Sequence, residues 1–365
     1  MNTLNRILHV SIGVFITLTG CESARPPIVQ HPVPESTHPP QENAFTVIFI
    51  GDPEERMRGN TRETLERHVG NLLDLRTNNS AWFDYDGGKS HPISPDIVII
   101  GGDISADRST SIAADFDLWK PLLTAGIPVL AGFGNHDWEP KSWGDGPGYS
   151  MAGHNSNVRT TAFTRETYRA SAEACDEFSY REIPPTSDHG PVTFHAIHRG
   201  VEIANFNTFL YQPSYTYPFG WPLSCNPLNG GAGCQTFVSA EAQIAEMESV
   251  LSPDTSTPVL FVQHYPLSTG DHWWDDYGAS GTQTEERKQR LLTMIAKREH
   301  AVLLAGHNHR ASHHTWTVND RHIDEHIAPY FGGTGGYIAL LVSPTQGILE
   351  VRTISKPGSR GKILK

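Results

Sequence analysis

Cysteine is scarce, with four residues in a chain of 365 and no C-x-x-C pair. A thiolate zinc site needs such clusters and is therefore disfavoured. Positive charge is also short. Lys and Arg number 28 against 40 Asp and Glu, a net charge of −12, which argues against nucleic acid as a bulk electrostatic partner. It leaves room for a small phosphorylated ligand held through cations. Long apolar runs are missing: Ile7 to Leu18 is mostly apolar but too short to span a bilayer comfortably. Neither an internal repeat nor a second domain boundary is evident. What is present is enough for one sizeable core, with 38% hydrophobic residues, 8 Trp, 11 Tyr and 15 Phe, and an unusual 19 His, several beside Asp, Asn or Gly.

Residues 1–20 read as an export signal, with Arg6 as a modest basic start. The segment ends Leu18-Thr19-Gly20-Cys21. This resembles the lipobox of bacterial lipoproteins and implies a lipid anchor on Cys21; a plain secretory signal is the other reading. Glu22 follows in place of the Asp associated with inner-membrane retention, so the resemblance implies the outer membrane facing the periplasm, or the cell surface. Residues 21–43 carry Pro26, Pro27, Pro32, Pro34, Pro39 and Pro40 and read as a semi-rigid tether. The folded domain is expected over 44–357, with a tail at 358–365.

Within it, apolar runs end in polar clusters. Phe45 to Ile50 reads as a buried parallel strand running into Gly51-Asp52-Pro53-Glu54. A helix with Leu65, Val69, Leu72 and Leu73 on one face follows, then a strand from Asp96 to Ile100 ending at Gly101-Gly102-Asp103. A second helix is expected over about 111–124 with Pro121 ending or kinking it. The strand Ile127–Ala131 leads to Gly134-Asn135-His136-Asp137. This β-α-β-α-β order predicts a sheet with a site along one edge. Residues 138–190 read as a long loop holding a short helix at Thr164–Ala174. A hairpin turning at Arg199-Gly200 follows, then a Tyr, Pro and Gly-rich stretch over 211–235. Cys225 and Cys234 in that stretch could close a small loop, or either could pair with Cys175. A helix from Ser239 buries Ile244, Met247 and Leu251, and the strand Val259–Gln263 runs into His264. A helix burying Leu291, Leu292 and Ile295 precedes the strand Ala301–Leu304, which ends at Gly306-His307-Asn308-His309. Strands near 336–343 and 347–354 close the domain.

The polar clusters supply carboxylate, amide and imidazole without thiolate, a donor set suited to Mn, Fe or Zn and to more than one ion. Their order resembles the calcineurin-like metallophosphoesterases, whose pattern is D-x-H, G-D, G-N-H-D/E, a lone His after a strand, and G-H-x-H. The resemblance covers about 45 to 345. It implies a central β-sandwich flanked by helices (αββα, mixed α/β) and two divalent metal ions. Asp52, Asp103 and His309 would hold one ion. Asp103, Asn135, His264 and His307 would hold the other, with Asp103 bridging. His136 would lie at the substrate, oriented by Asp137. The activity implied is hydrolysis of a phosphomonoester or phosphodiester by a metal-activated hydroxide.

One residue departs from the pattern: Glu54 stands where the family has His. As a ligand it would tilt the first position toward Mn or Fe; the alternative is a side chain in solvent. Glu54 is also the one feature favouring a non-catalytic surface lipoprotein that binds a ligand or partner. Arg108 and Arg310 lie just past metal motifs and read as phosphate contacts or surface ion-pair residues. Trp138 and Trp143, and Trp273, Trp274 and Tyr277, could wall the cleft. His195, His198, His313 and His314 fall outside the motifs and read as structural or solvated. The oligomeric state is not readable from the sequence.

Overall fold

The computed structural model describes residues 43–53, 62–78, 81–85, 88–104, 115–134, 137, 149–183, 193–206, 240–269, 281–357 and 362–363. The signal, lipobox and tether therefore lie outside the described residues, as do Glu54, Arg108, Asn135, His136, Trp138, Cys225 and Cys234.

Two sheets make the centre. The first runs β15-β14-β13-β1-β4-β5. It is built on the parallel strands β1 (Phe45–Ile50), β4 (Pro95–Ile100) and β5 (Val129–Ala131), and β13 (Tyr337–Ser343), β14 (Gly347–Ile354) and β15 (Lys362–Ile363) extend it antiparallel. The second is ordered β11-β12-β10-β9-β8-β7-β6. Its strands are β6 (Phe178–Glu182), β7 (Phe194–His198), β8 (Val201–Asn205), β9 (Val259–Gln263), β10 (Ala301–Ala305), β11 (Ser312–Val318) and β12 (Arg321–Ile327). Strands β8, β9, β10 and β12 run parallel.

Strand alternation sorts the apolar side chains into three cores. Val47, Phe49, Ile97 and Ile99 from the first sheet meet Ile203, Leu260, Val262 and Leu304 from the second, forming the middle of the sandwich. Ile48, Ile50, Val98 and Ile100 face the other way, onto α1 (Arg62–Asn78) and α2 (Phe116–Thr124), where Leu65, Val69, Leu72, Trp119 and Leu122 cover them. Val259, Phe261 and Leu303 face α4 (Ala240–Val250) and α5 (Gly281–Ala296), packing on Ile244, Met247, Leu291, Leu292 and Ile295. The result is the helix–sheet–sheet–helix arrangement expected from the motifs. Strand β1 has a core on either face and is buried along its whole length.

The hairpin at Arg199-Gly200 forms as expected. Both residues have positive φ (50° and 77°), as a two-residue loop matching strand twist requires.

Other expectations are corrected. Helix α2 ends at Thr124 as expected but starts only at Phe116, capped by Asp115, and it does not stop at Pro121, because the missing N–H costs a single bond and Leu122 and Leu123 pack beyond it. The stretch 138–190 is not a long loop around a short helix: α3 spans Tyr149–Ala174 and β6 follows it. The face α3 buries includes Thr160, Thr161, Thr164, Thr167 and Ser171 beside Phe163 and Tyr168. Helical spacing is there, but hydroxyls carry it. Ser171 exchanges hydrogen bonds with the Val129 backbone, so a polar residue serves as core. The hairpins β2–β3 (Trp82–Tyr85, Lys89–Pro92) and β11–β12 also escaped detection. The exposed, His-rich strand β11 carries little apolar pattern. Cys175 is buried in the inter-sheet core.

Candidate metal centre

Every described residue of the polar clusters sits where a strand stops. Asp52 follows β1 and Asp103 follows β4, both from the first sheet; His264 follows β9, and His307 and His309 follow β10, from the second. The site thus lies across the seam between the two sheets. Backbone bonds cross the seam where the segment after β12 meets the end of β1: Phe331 N–H donates to the Gly51 carbonyl (3.0 Å) and Gly332 N–H to the Asp52 carbonyl (3.1 Å).

The local backbone is strained there. Asp52, Asp103, His307 and His309 all have φ between 52° and 69°. Outside Gly and Asn, the left-handed region costs on the order of 1–3 kcal/mol per residue and survives where surroundings over-determine it, commonly at functional sites. Here it turns the side chains back over the strand ends. Glycines permit the close approach. Gly102 has φ 99°, and a Cβ on it would lie 2.6 Å from the Gly134 nitrogen.

Five ligand-bearing side chains converge. Oxygen and nitrogen atoms of Asp52, Asp103 and His309 lie within 4.8 Å of one another, and so do those of Asp103, His264 and His307. Asp103 belongs to both groups. Asp52 and Asp103 are buried. The His264 Nε2 is 3.3 Å from Asp103 Oδ2 and 4.0 Å from Asp52 Oδ1, and the His309 Nε2 is 3.4 Å from Asp52 Oδ1. Asp52 also accepts the His307 N–H at 2.9 and 3.1 Å. On the other side of its ring, His264 Nδ1 contacts the Gly101 carbonyl at 2.9 Å. A bond there fixes the tautomer and turns Nε2 toward the carboxylates, the usual arrangement behind a metal-binding imidazole.

Two buried carboxylates this close need compensating charge. Burial alone lowers the His264 pKa, but Asp103, through charge and hydrogen bond, together with Asp52 and the Gly101 carbonyl, outweighs it and raises the ring to about 9. In the ion-free protein this proton stabilises the fold fully below the ordinary value of 6.5, and that contribution is lost as pH rises through about 9. A divalent cation bound here would have to displace the proton, so its binding is expected to strengthen over the same interval. The rise in melting temperature caused by added MnCl2 should therefore grow from pH 6.5 to pH 9. An increment that is flat or shrinks across that range would contradict the assignment.

The remaining candidates divide. Asp137 is fully buried, and its carboxylate accepts the Gly134 N–H (2.8 Å) and the Thr160 hydroxyl (3.2 Å), so it ties the motif to α3. Arg310 is exposed one residue beyond His309. The structure also brings in residues that sequence reasoning missed. Tyr265 lies against the His307 ring (centroids 4.2 Å apart), and Tyr330 stacks on His309 (4.4 Å, 9° between planes). Glu325 of β12 is buried and accepts the backbone N–H groups of Leu267 and Ser268, holding the turn after His264. Tyr265 was legible only as the neighbour of His264. Tyr330 and Glu325 depend on β12, which was not foreseen.

The calcineurin-like phosphoesterase family model matches residues 45–311, and the chain belongs to this family. No curated protein sequence matches it. Among solved structures it is similar to GAP50, the anchor in the inner membrane complex of Plasmodium, at 13% identity over 89% of this chain and 90% of that one, TM-score 0.44. It is also similar to the phosphopantetheinyl hydrolase of Mycobacterium tuberculosis, at 15% identity over 78% and 89%, TM-score 0.35. A third likeness is to a 5'-nucleotidase precursor from Thermus thermophilus, at 10% identity over 88% and 54%, TM-score 0.39; the chain spans about half of that protein's length.

Proposed function

We propose that the protein hydrolyses a phosphomonoester or phosphodiester with two divalent cations held at the seam between the sheets. The observation that carries this reading is the membership of Asp103 in both groups of ligand atoms. One cation is assigned to Asp52, Asp103 and His309 and the other to Asp103, His264 and His307. Asn135 joins the second group by its place in the motif, and Glu54 is a further candidate for the first. The mixed oxygen and imidazole donors suit Mn, Fe or Zn. When bound, such a pair supplies an activated water and neutralises charge on the phosphoryl oxygens.

The chain's own residues provide the rest. Asp103 presents its carboxylate at the shared point. Asp52 is held by the His307 N–H, and His264 is aimed by Gly101. Asp137, which accepts the Gly134 N–H, is assigned to orient His136. His136 is assigned to the substrate, donating a hydrogen bond or proton to a phosphoryl or leaving oxygen. A lipid anchor on Cys21 would hold the domain at a membrane surface.

Metal-reconstituted protein is tested on p-nitrophenyl phosphate and bis-p-nitrophenyl phosphate. Metal-dependent turnover of at least one is the expected result. Cation binding without turnover of either would instead favour the non-catalytic binding reading suggested by Glu54. His136→Ala is expected to keep both cations while turnover drops about 10²- to 10⁴-fold, the usual worth of a general acid or base. Undiminished turnover in that variant would remove His136 from the mechanism.

A further inference from the structure

Tyr330 belongs to none of the sequence motifs. It reaches the site because β12 runs parallel beside β10 and ends at the same edge. Its ring stacks nearly parallel on the imidazole of His309, with centroids 4.4 Å apart. Its backbone forms a parallel bridge with Gly51, and the next two N–H groups bind the carbonyls of Gly51 (Phe331, 3.0 Å) and Asp52 (Gly332, 3.1 Å). One short segment therefore touches both His309 and the backbone of Asp52, whose side chains approach to 3.4 Å. We propose that Tyr330 is a positioning residue for the cation assigned to Asp52, Asp103 and His309, an inference that rests on the phosphoesterase reading and deepens it.

The need for such a brace follows from how differently the imidazoles are held. His264 is buried and fixed by the Gly101 carbonyl. His309 keeps a quarter of its side chain exposed, in a left-handed backbone (φ 57°) before β11 begins. Ordering a partly exposed side chain costs rotamer entropy each time a cation binds. A stacked aromatic face removes that freedom beforehand. The seat of Tyr330 is shaped for the purpose. A Cβ on Gly333 would fall 2.4 and 2.5 Å from Tyr330 Cδ1 and Cε1, so the ring occupies space that any residue other than glycine would fill.

The experiment is calorimetric titration of full-length protein with MnCl2, using His309→Ala to identify the affected equivalent and thermal melts to verify folding. Tyr330→Ala and Gly333→Ala are both expected to weaken that one equivalent about 10- to 100-fold, the range typical of residues that orient a ligand, and to leave the other unchanged. Gly333→Ala keeps the tyrosine and only displaces its ring, on a helical turn that alanine favours. Tyr330→Phe retains the ring and should bind within about threefold of wild type. Wild-type titration by both Tyr330→Ala and Gly333→Ala, or a loss in Tyr330→Phe as large as in Tyr330→Ala, overturns this inference alone. A wild-type protein that takes up no cation overturns the phosphoesterase reading and this inference with it.

Discussion

Asp103→Asn is expected to remove both cations and lower turnover by on the order of 10³-fold or more, given that losing a single electrostatic contact in an active site costs about 10²- to 10³-fold. Among the described residues, Asp103 is the carboxylate that belongs to both groups, with His264 and His307 and with Asp52 and His309. The amide keeps size and shape but removes the charge, so neither position retains its shared anionic donor. Asp52→Asn separates the shared from the unshared role: it should lose one equivalent and keep the other, since Asp52 belongs to one group only. Elemental analysis of the purified variants, together with turnover of the nitrophenyl esters, reads both quantities. If Asp103→Asn retained two equivalents, the bridging assignment would fail.

Gly134→Ala has the next largest expected effect, and it acts without replacing a ligand. A Cβ at this position would lie 2.2 Å from Asp103 Oδ1 and 2.4 Å from the Asp103 backbone nitrogen. The obstruction is partly backbone, so it cannot be relieved by rotating one flexible side chain. The loop or Asp103 must move, and either shift spoils a cluster whose members stand 3–4 Å apart. Overpacking of this kind costs about 1–3 kcal/mol in stability. Cation binding is expected to fall to background because both groups share Asp103. Gly70→Ala is the control: nothing lies within 4 Å of the added carbon, and the helix should gain about 0.5–1 kcal/mol. A Gly134→Ala protein that binds cations like wild type would show that this contact does not set the geometry.

The strands that end in polar clusters were readable because full burial gives them continuous apolar runs. Phe45–Ile50 and Val259–Gln263 are buried at every position. Helices α1, α4 and α5 were readable from their aliphatic spacing. Of helix α3 only the part from Thr164 to Ala174 was, because its buried face is written in threonine and serine: Thr167 bonds its hydroxyl locally, Thr160 to Asp137 and Ser171 against β5. Strands β11 and β12 were not, because β11 is mostly exposed and rich in His and Thr, and the buried part of β12 places Glu325 and His326 between Ile323 and Ile327. Missing β12 also meant missing Tyr330 and Glu325.

The sequence by itself determined the family and the identity of the ligand-type residues, since each motif is local and sits at the end of a strong apolar run. Tertiary structure alone decided which of them meet. Asp52 and His307 are 255 positions apart, yet the His307 N–H rests on the Asp52 carboxylate at 2.9 Å. That contact exists because two separately built sheets pack face to face with their parallel strands ending on one edge. The left-handed turns of Asp52, Asp103, His307 and His309, and the aromatic face behind His309, are set by that packing, which no local pattern of residues records.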